Sequence, residues 1–328
     1  MGWSISNSQL TQDLDDLYST TWRDQKKEAI DQIFCETPLW FWLYKAKKAV
    51  IYIPGGKFIV RPLLYGRNST FKMMHKGGTI DLSRDEKTTD AIYKWGYAAI
   101  SLVRYWQEDL QNRGKYQILN QMNLEMETAK SECNDQLEQQ LFGNGAGDDI
   151  NGLDNIIPAA VTGSRGTLGG VDSSVKSWWE NKAVSMSGEK PSVWLDKRMR
   201  TMLNDTSKGK KSYKPDAFIT TQGIYETIED NTLEQHRIYN KTLGDAQFEN
   251  IQFKKKPIIW SEHANSGKLY VASTAVMKLV IDPAANFDLT SWKDIPNQVK
   301  DRAAQICIAL QLICDRRASL GVIYDIDA

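Results

Sequence analysis

Between residues 106 and 158 the apolar positions fall on one helical stripe that stops in a cluster of glycines. After Gly114, the residues Ile118, Met122, Met126, Ala129, Cys133, Leu137 and Leu141 recur at intervals of three or four, the spacing of one helix face. The positions between them are mostly Gln, Asn, Glu, Lys and Ser, so one stripe is buried and the rest is wet. Gly143, Gly145 and Gly147 follow, as glycines do just past a helix end. A helix over Gln107–Leu141 would hold 35 residues and span about 50 Å at its usual rise. The average helix has about 11–12 residues, so this one is a spine.

Upstream, residues 1–31 are largely polar, with Leu10, Leu14 and Leu17 at helical spacing. They predict an arm with one short amphipathic helix. Ala49–Ile53 and Phe58–Val60 are β-branched and aromatic runs separated by Pro54-Gly55-Gly56, which predicts strands around a turn. A polar, glycine-containing stretch over Gly66–Asp90 leads to a returning strand, Ala91–Val103. Strand, polar tip and strand suggest a long two-stranded projection, with an ordinary meander of a domain sheet as the other reading. An isolated pair of strands is marginal in water, so a projection of this length expects something to lie on.

Downstream of the glycines, Ala159–Ser173 reads as loop, and Val175–Ala183 carries Trp178-Trp179. Ser192–Leu203 predicts a helix with Ser192 as its cap. Pro215–Thr221 predicts a strand and Gln222–Asn231 a helix. Phe248–Trp260 gives two strands around Lys254-Lys255-Lys256, and Lys268–Ile281 two more around a turn. Gln305–Tyr324 is strongly apolar with a break at Asp315-Arg316-Arg317. It suits one or two buried strands, although Ile306–Ile313 suits a helix equally well. Helices and strands mix without βαβ regularity, so the class is α+β.

Composition narrows the function more than the fold. Formal net charge is zero, from 41 basic and 41 acidic residues among 328; nucleic-acid binding usually brings a basic excess. Near-zero charge also favours self-association. The 11 Trp and 13 Tyr suit either a core or protein interfaces. No apolar run is long enough to cross a membrane and no signal peptide is visible, so a soluble chain made in the cytoplasm is expected. The opening Met1-Gly2-Trp3-Ser4-Ile5-Ser6 matches a myristoylation pattern short enough to arise by chance.

Candidate chemistry is sparse. Cys35, Cys133, Cys307 and Cys314 form no CxxC, and His75, His236 and His263 complete no zinc spacing. Gly143–Gly147 closes a helix where a phosphate loop would open one. Asp148, Asp149, Asn151 and Asp154 lack the alternation of a calcium loop and its terminal Glu. No GxSxG or HExxH occurs, and surface positions account for His236 and His263. No catalytic residue, cofactor site or metal site is assigned. An enzyme or ligand-binding protein whose site leaves no local motif stays open, as does a nucleic-acid module using basic loops such as Ser207–Lys214.

Several stretches resemble the major capsid proteins of tailed bacteriophages, the Hong Kong 97-type fold. Leu141-Phe142-Gly143-Asn144-Gly145 with Gly152-Leu153 resembles the end of that family's spine helix. Pro215–Thr220 is similar to its central strand, and Phe248–Ile259 to a hairpin, although Ala246-Gln247 stands where glycine commonly precedes the phenylalanine. Lys268–Tyr270, Met277–Leu279, Leu312, Arg316-Arg317 and Gly321-Val322 resemble the strands that follow and close the fold. The likeness covers nearly the whole chain, and its strength lies in the order of the parts.

The resemblance implies an N-terminal arm (1–35), a peripheral domain with the spine (36–47 and 104–150) and an extended two-stranded loop (48–103). An axial domain (151–285) and a return to the peripheral domain (286–328) complete it. It implies a shell subunit forming hexamers and pentamers of an icosahedral head around double-stranded phage DNA, assembled in the host cytoplasm. The ribbon would lie on a neighbouring subunit and the arm on another. Expected partners are further copies, a separate scaffolding protein, a portal and possible decoration proteins. Candidate intersubunit charges are Arg61, Arg67, Lys72 and Lys76 on the ribbon, with Asp148 and Asp149 near the spine end. Lys208, Lys210 and Lys211 are candidates to face DNA.

Overall fold

The computed structural model describes residues 37–46, 49–66, 69–80, 82, 86–107, 121–160, 162–163, 165–209, 213–232 and 251–327. The expected arm, Arg67 and the first part of the spine lie outside the described residues. Contacts divide the chain into two units: 1–35, 99–133 and 287–307 form one, and 36–98, 134–286 and 308–328 the other.

In the larger unit, helix α1 (Pro38–Phe41) begins with a proline, whose fixed φ suits a first turn. It continues into a π-helical turn at Trp42–Ala46. Strand β1 (Val50–Tyr52) pairs parallel with β12 (Met277–Ile281), and β12 pairs antiparallel with the end of β15 (Arg302–Cys314). β2 (Ile59–Leu64) pairs with β3 (Thr88–Tyr93) as a two-stranded ribbon. The ribbon is thus shorter than the projection expected over 48–103. β1 joins a sheet through β12, and β4 (Gly96–Arg104), its residues alternately covered and exposed, pairs with β15.

The second sheet of this unit runs in the order β7 (Lys182–Ser185), β16 (Gly321–Tyr324), β11 (Leu269–Ala272), β8 (Ala217–Thr220), β10 (Lys256–Trp260) and β9 (Ile251–Phe253). β8 and β11 are buried at every residue, which explains their unbroken apolar runs. β9 and β10 turn at Lys254 and Lys255, both with positive φ. β11 and β12, read from sequence as neighbours around a turn, belong to different sheets. Two helices cover one face of this sheet: α4 (Pro191–Thr206) and α5 (Gln222–Thr232) share a buried cluster with Phe218, Leu269 and Val271. α4 starts one residue before the expected cap. Pro191 occupies the first turn, Lys190 stands at the cap without a side-chain bond, and Ser192 lies inside the helix. The loop expected over 159–173 contains a small hairpin, β5 (Thr167–Leu168) with β6 (Val171–Asp172).

The spine is helix α2 (Gln121–Phe142), with Ala129, Cys133, Leu137 and Leu141 buried on the expected stripe. It ends where Gly143 N donates back to Gln140 O. The short helix α3 (Leu153–Ile156) then packs close: a side chain on Gly152 would run into the backbone of Gly143 and Gln140. That contact is the physical content of the Gly-Leu signature after the spine. In the smaller unit, β13 (Asp288–Leu289) and β14 (Lys293–Asp294) pair with the first half of β15. Leu102, Ala129 and Ile306 form its core, with Phe287, Leu289 and Trp292 packed around them. The stretch Ile306–Ile313, which suited helix or strand, is strand.

Glu138 on α2 is fully buried, and its carboxylate ties three segments of the larger unit together. It accepts from Leu39 N at 3.1 Å, Trp40 N at 2.6 Å and Ser261 Oγ at 2.9 Å. Burial raises its pKa to about 7, against the pull of those three donors. An unfolded glutamate titrates near about 4.3. The folded chain therefore holds this proton more tightly, and the contribution is fully present below about pH 4 and lost as pH rises through 7. Glu138→Gln places an amide donor against a backbone N–H and should cost about 1–3 kcal/mol. Urea unfolding at several pH values should show the gap between wild type and variant narrowing as pH rises through 7, because only the wild type loses this contribution there.

Candidate functional site

The ribbon has two unlike faces because its residues alternate. Register pairs Ile59 with Tyr93, Arg61 with Ala91 and Leu63 with Thr89 on the inner face; Val60 with Ile92, Pro62 with Asp90 and Leu64 with Thr88 stand on the outer one. Ile59, Leu63, Ala91 and Tyr93 are buried, whereas Val60, Leu64 and Ile92 are exposed.

Three contacts hold the ribbon to its own subunit. Tyr93 OH donates to Cys314 O at 2.9 Å, and burial pushes its phenol well above the ordinary range, so it stays a neutral donor. Arg61 donates from Nε and Nη2 to the two oxygens of Asp315, each at 2.8 Å, a forked pair that fixes direction as well as distance. Asp315 holds the Arg61 guanidinium above its usual pKa. Ile92 N donates to Gly169 O at 2.9 Å. Gly169 has φ +61, and a Cβ there would stand 3.0 Å from that of Ala91, so glycine lets the hairpin β5–β6 approach. At the ribbon's far end Tyr65 stacks on Trp178, with ring centroids 5.1 Å apart.

The platform under the ribbon is itself fixed by Arg317. Only 1% exposed, its guanidinium donates to Ile156 O at 2.7 Å, Asn155 O at 3.0 Å, Arg165 O at 2.7 Å and Gly166 O at 3.3 Å. Burial lowers its pKa from the free value. Arg165 pairs with Glu180 at 3.6 Å, and Glu180 accepts from Gly163 N at 2.8 Å. The Cys314 thiol, pushed by burial up to about 12, stays protonated and inert.

Of the charges singled out in the sequence, Arg61 is engaged within its own chain and Arg67 lies outside the described residues. Lys72 and Lys76 are exposed between β2 and β3, and Asp148 and Asp149 are exposed in the turn after α2. Lys208 is exposed and paired with Asp205 at 2.7 Å; Lys210 and Lys211 lie outside the described residues. The tip adds what charge reading missed, a set of exposed apolar side chains: Leu82 is 93% exposed, Met73 89% and Phe71 84%. Their signal was there, as apolar letters inside a stretch read as polar. Among the described residues no group of three His, Cys, Asp or Glu could hold a metal ion, and no helix is long and apolar enough to cross a membrane.

No family model and no curated protein matches the sequence. Among solved structures, the chain is similar to one in the capsid asymmetric unit of cyanophage A-1(L), at 16% identity and TM-score 0.67, covering 92% of this chain and 96% of that one. The fold is the Hong Kong 97 type. The capsid of Myoviridae phage XM1 shares it at 11% identity and TM-score 0.56, over 91% of this chain and 95% of that one. So does a chain of the holo-SrpI encapsulin complex from Synechococcus elongatus PCC 7942, at 11% identity and TM-score 0.61, over 92% and 91%. The likeness to the Hong Kong 97-type fold thus covers more than nine-tenths of the chain, in keeping with the order of its motifs.

The anchor predicts unequal costs. Tyr93→Phe leaves Cys314 O without its donor and should cost about 1–2 kcal/mol. Arg61→Ala breaks a half-exposed ion pair and should cost less than about 1 kcal/mol. Chemical unfolding of the unassembled subunit measures both.

Proposed function

We propose that this chain is a major capsid protein, assembling as hexamers and pentamers into an icosahedral head that encloses double-stranded phage DNA. The observation that carries the reading is the ribbon: one face is locked to its own subunit and the other is apolar and exposed. Full burial of a Val, Leu, Ile, Phe or Met is worth about 1.5–3 kcal/mol, so a surface of this kind gains from a covering neighbour. The further support is a fold shared over more than nine-tenths of the chain with solved phage shells. Zero net charge lets many copies pack without repulsion.

In this reading Lys72 and Lys76 on the tip and Asp148 and Asp149 after the spine set the register between subunits, while the apolar tip supplies affinity. Arg61 keeps the ribbon on its own subunit. A separate scaffolding protein, a portal and decoration proteins are the expected companions, with assembly in the host cytoplasm, and no catalytic role is assigned. The likeness to an encapsulin complex favours a second reading, a shell outside any virion; the contents of purified particles distinguish the two.

Negative-stain microscopy of the purified protein, expressed alone and together with neighbouring genes, should show shells, tubes or rings. A monomer under every condition refutes the reading. Val60→Ser with Leu64→Ser and Ile92→Ser should abolish particles while shifting monomer stability by no more than about 0.5 kcal/mol per site. Reversing Lys72 and Lys76 to Glu should lower particle yield with the monomer still folded.

A further inference from the structure

Helices α4 and α5 lie on one face of the same sheet, and their outward surfaces carry opposite charge. The inward stripes, with Leu195 and Met199 from α4 and Ile224 and Ile228 from α5, enter one buried cluster. Outward on α4 stand Val193, Trp194, Lys197 and Arg200, all exposed. Lys197 Nζ sits 4.3 Å from the centroid of the Trp194 ring, so cation and indole form one patch, apolar and basic. Lys190, exposed just before the helix, adds to the charge. Half-buried Asp196 offsets part of it through Arg200, and Arg198 is turned aside onto Glu189.

On α5 the exposed row is Gln222, Glu226 and Asp230, one residue per turn. Gln222 Nε2 donates to Glu226 Oε1 at 2.9 Å, which holds that carboxylate outward along the helix. Residues three or four apart on a helix stand about 5–6 Å from one another. The spacing of Lys197 and Arg200 therefore matches that of Glu226 and Asp230.

We propose that in the assembled shell α4 of one copy seats on α5 of a neighbouring copy, with Lys197 and Arg200 facing Glu226 and Asp230 and Trp194 buried between them. The contact rests on the shell-subunit reading and names a pairing within it. A nucleic acid drawn to α4 would meet the carboxylates of α5 alongside, whereas a second copy satisfies both helices at once. Two different patches make a head-to-tail contact, the kind that closes rings. The charges set register and the Trp194 patch supplies apolar area. Salt weakens this contact, since pairs at an open rim are screened over about 10 Å at 0.1 M.

Charge reversal in the full chain tests it. Lys197→Glu with Arg200→Glu, and separately Glu226→Lys with Asp230→Lys, change exposed positions and should leave the thermal melt of the subunit near that of wild type. Each pair alone should lower particle yield by at least about tenfold, the equivalent of about 1.4 kcal/mol per contact. All four substitutions in one chain should restore particles. A mixture of the two failing variants should give assemblies containing both, which a contact inside one chain cannot produce. Normal assembly by either variant alone overturns the proposal, as does a folded four-substitution chain that stays unassembled. Wild type that never assembles overturns the shell reading itself, and the contact with it.

Discussion

Where β15 ends, four successive residues hold three parts of the larger unit. Cys314 O accepts from the ribbon's Tyr93, and Asp315 takes the ribbon's Arg61 in a forked pair. Arg316 donates to Lys208 O at 3.0 Å and stacks its guanidinium on Tyr213. Arg317 reaches four backbone carbonyls, two on α3 and two in the loop that follows it. The chain then returns as β16 through the middle of the second sheet. A buried guanidinium without close carboxylate partners would be costly, and here carbonyl acceptors around its plane replace water. Remove that residue and the platform, the ribbon's seat and the sheet crossing lose a common support.

This arrangement explains why the two ribbon faces have separate tasks. The inner face is specified by directional bonds and by a glycine that admits a close neighbour, so its geometry is set within the one chain. The outer face is specified by hydrophobicity, which is not directional and tolerates shifts in how a neighbour approaches. The proposed shell, with one chain in both hexamers and pentamers, would need that tolerance. It would also need a rigid anchor, so that tolerance on one side does not become looseness on the other.

Much of this was legible along the chain, for identifiable reasons. The stripe Ala129, Cys133, Leu137, Leu141 and the glycines after it are local, and local pattern located the described part of the spine. β8 and α5 were legible for the same reason, a buried apolar run followed by helical spacing. Pairing partners were not. β1 and β2 read as two strands around Pro54-Gly55-Gly56, yet β1 pairs with β12, 229 residues further on at Val50 and Leu279. The basic doublet Arg316-Arg317 resembled a family signature, while its chemistry depends on carbonyls at 155–166 that no spacing reveals. Glu138 looked like one more polar residue on a wet face; only the fold brings Leu39, Trp40 and Ser261 against it. Arg61 was legible as a charge on the ribbon but not as one directed at Asp315.

The anchor of the ribbon is also a matter of timing. Arg61 and Tyr93 find their partners 254 and 221 residues later in the chain. Contacts of such separation form late, because loop closure must be achieved before they reward it. A ribosome adding about 5–20 residues per second needs on the order of ten seconds or more between making the ribbon and making its seat. Until then the apolar outer face belongs to a segment with no fixed direction. The ribbon's seat thus arrives with the Cys314–Arg317 corner, so one of the first elements to be made is among the last to be fixed.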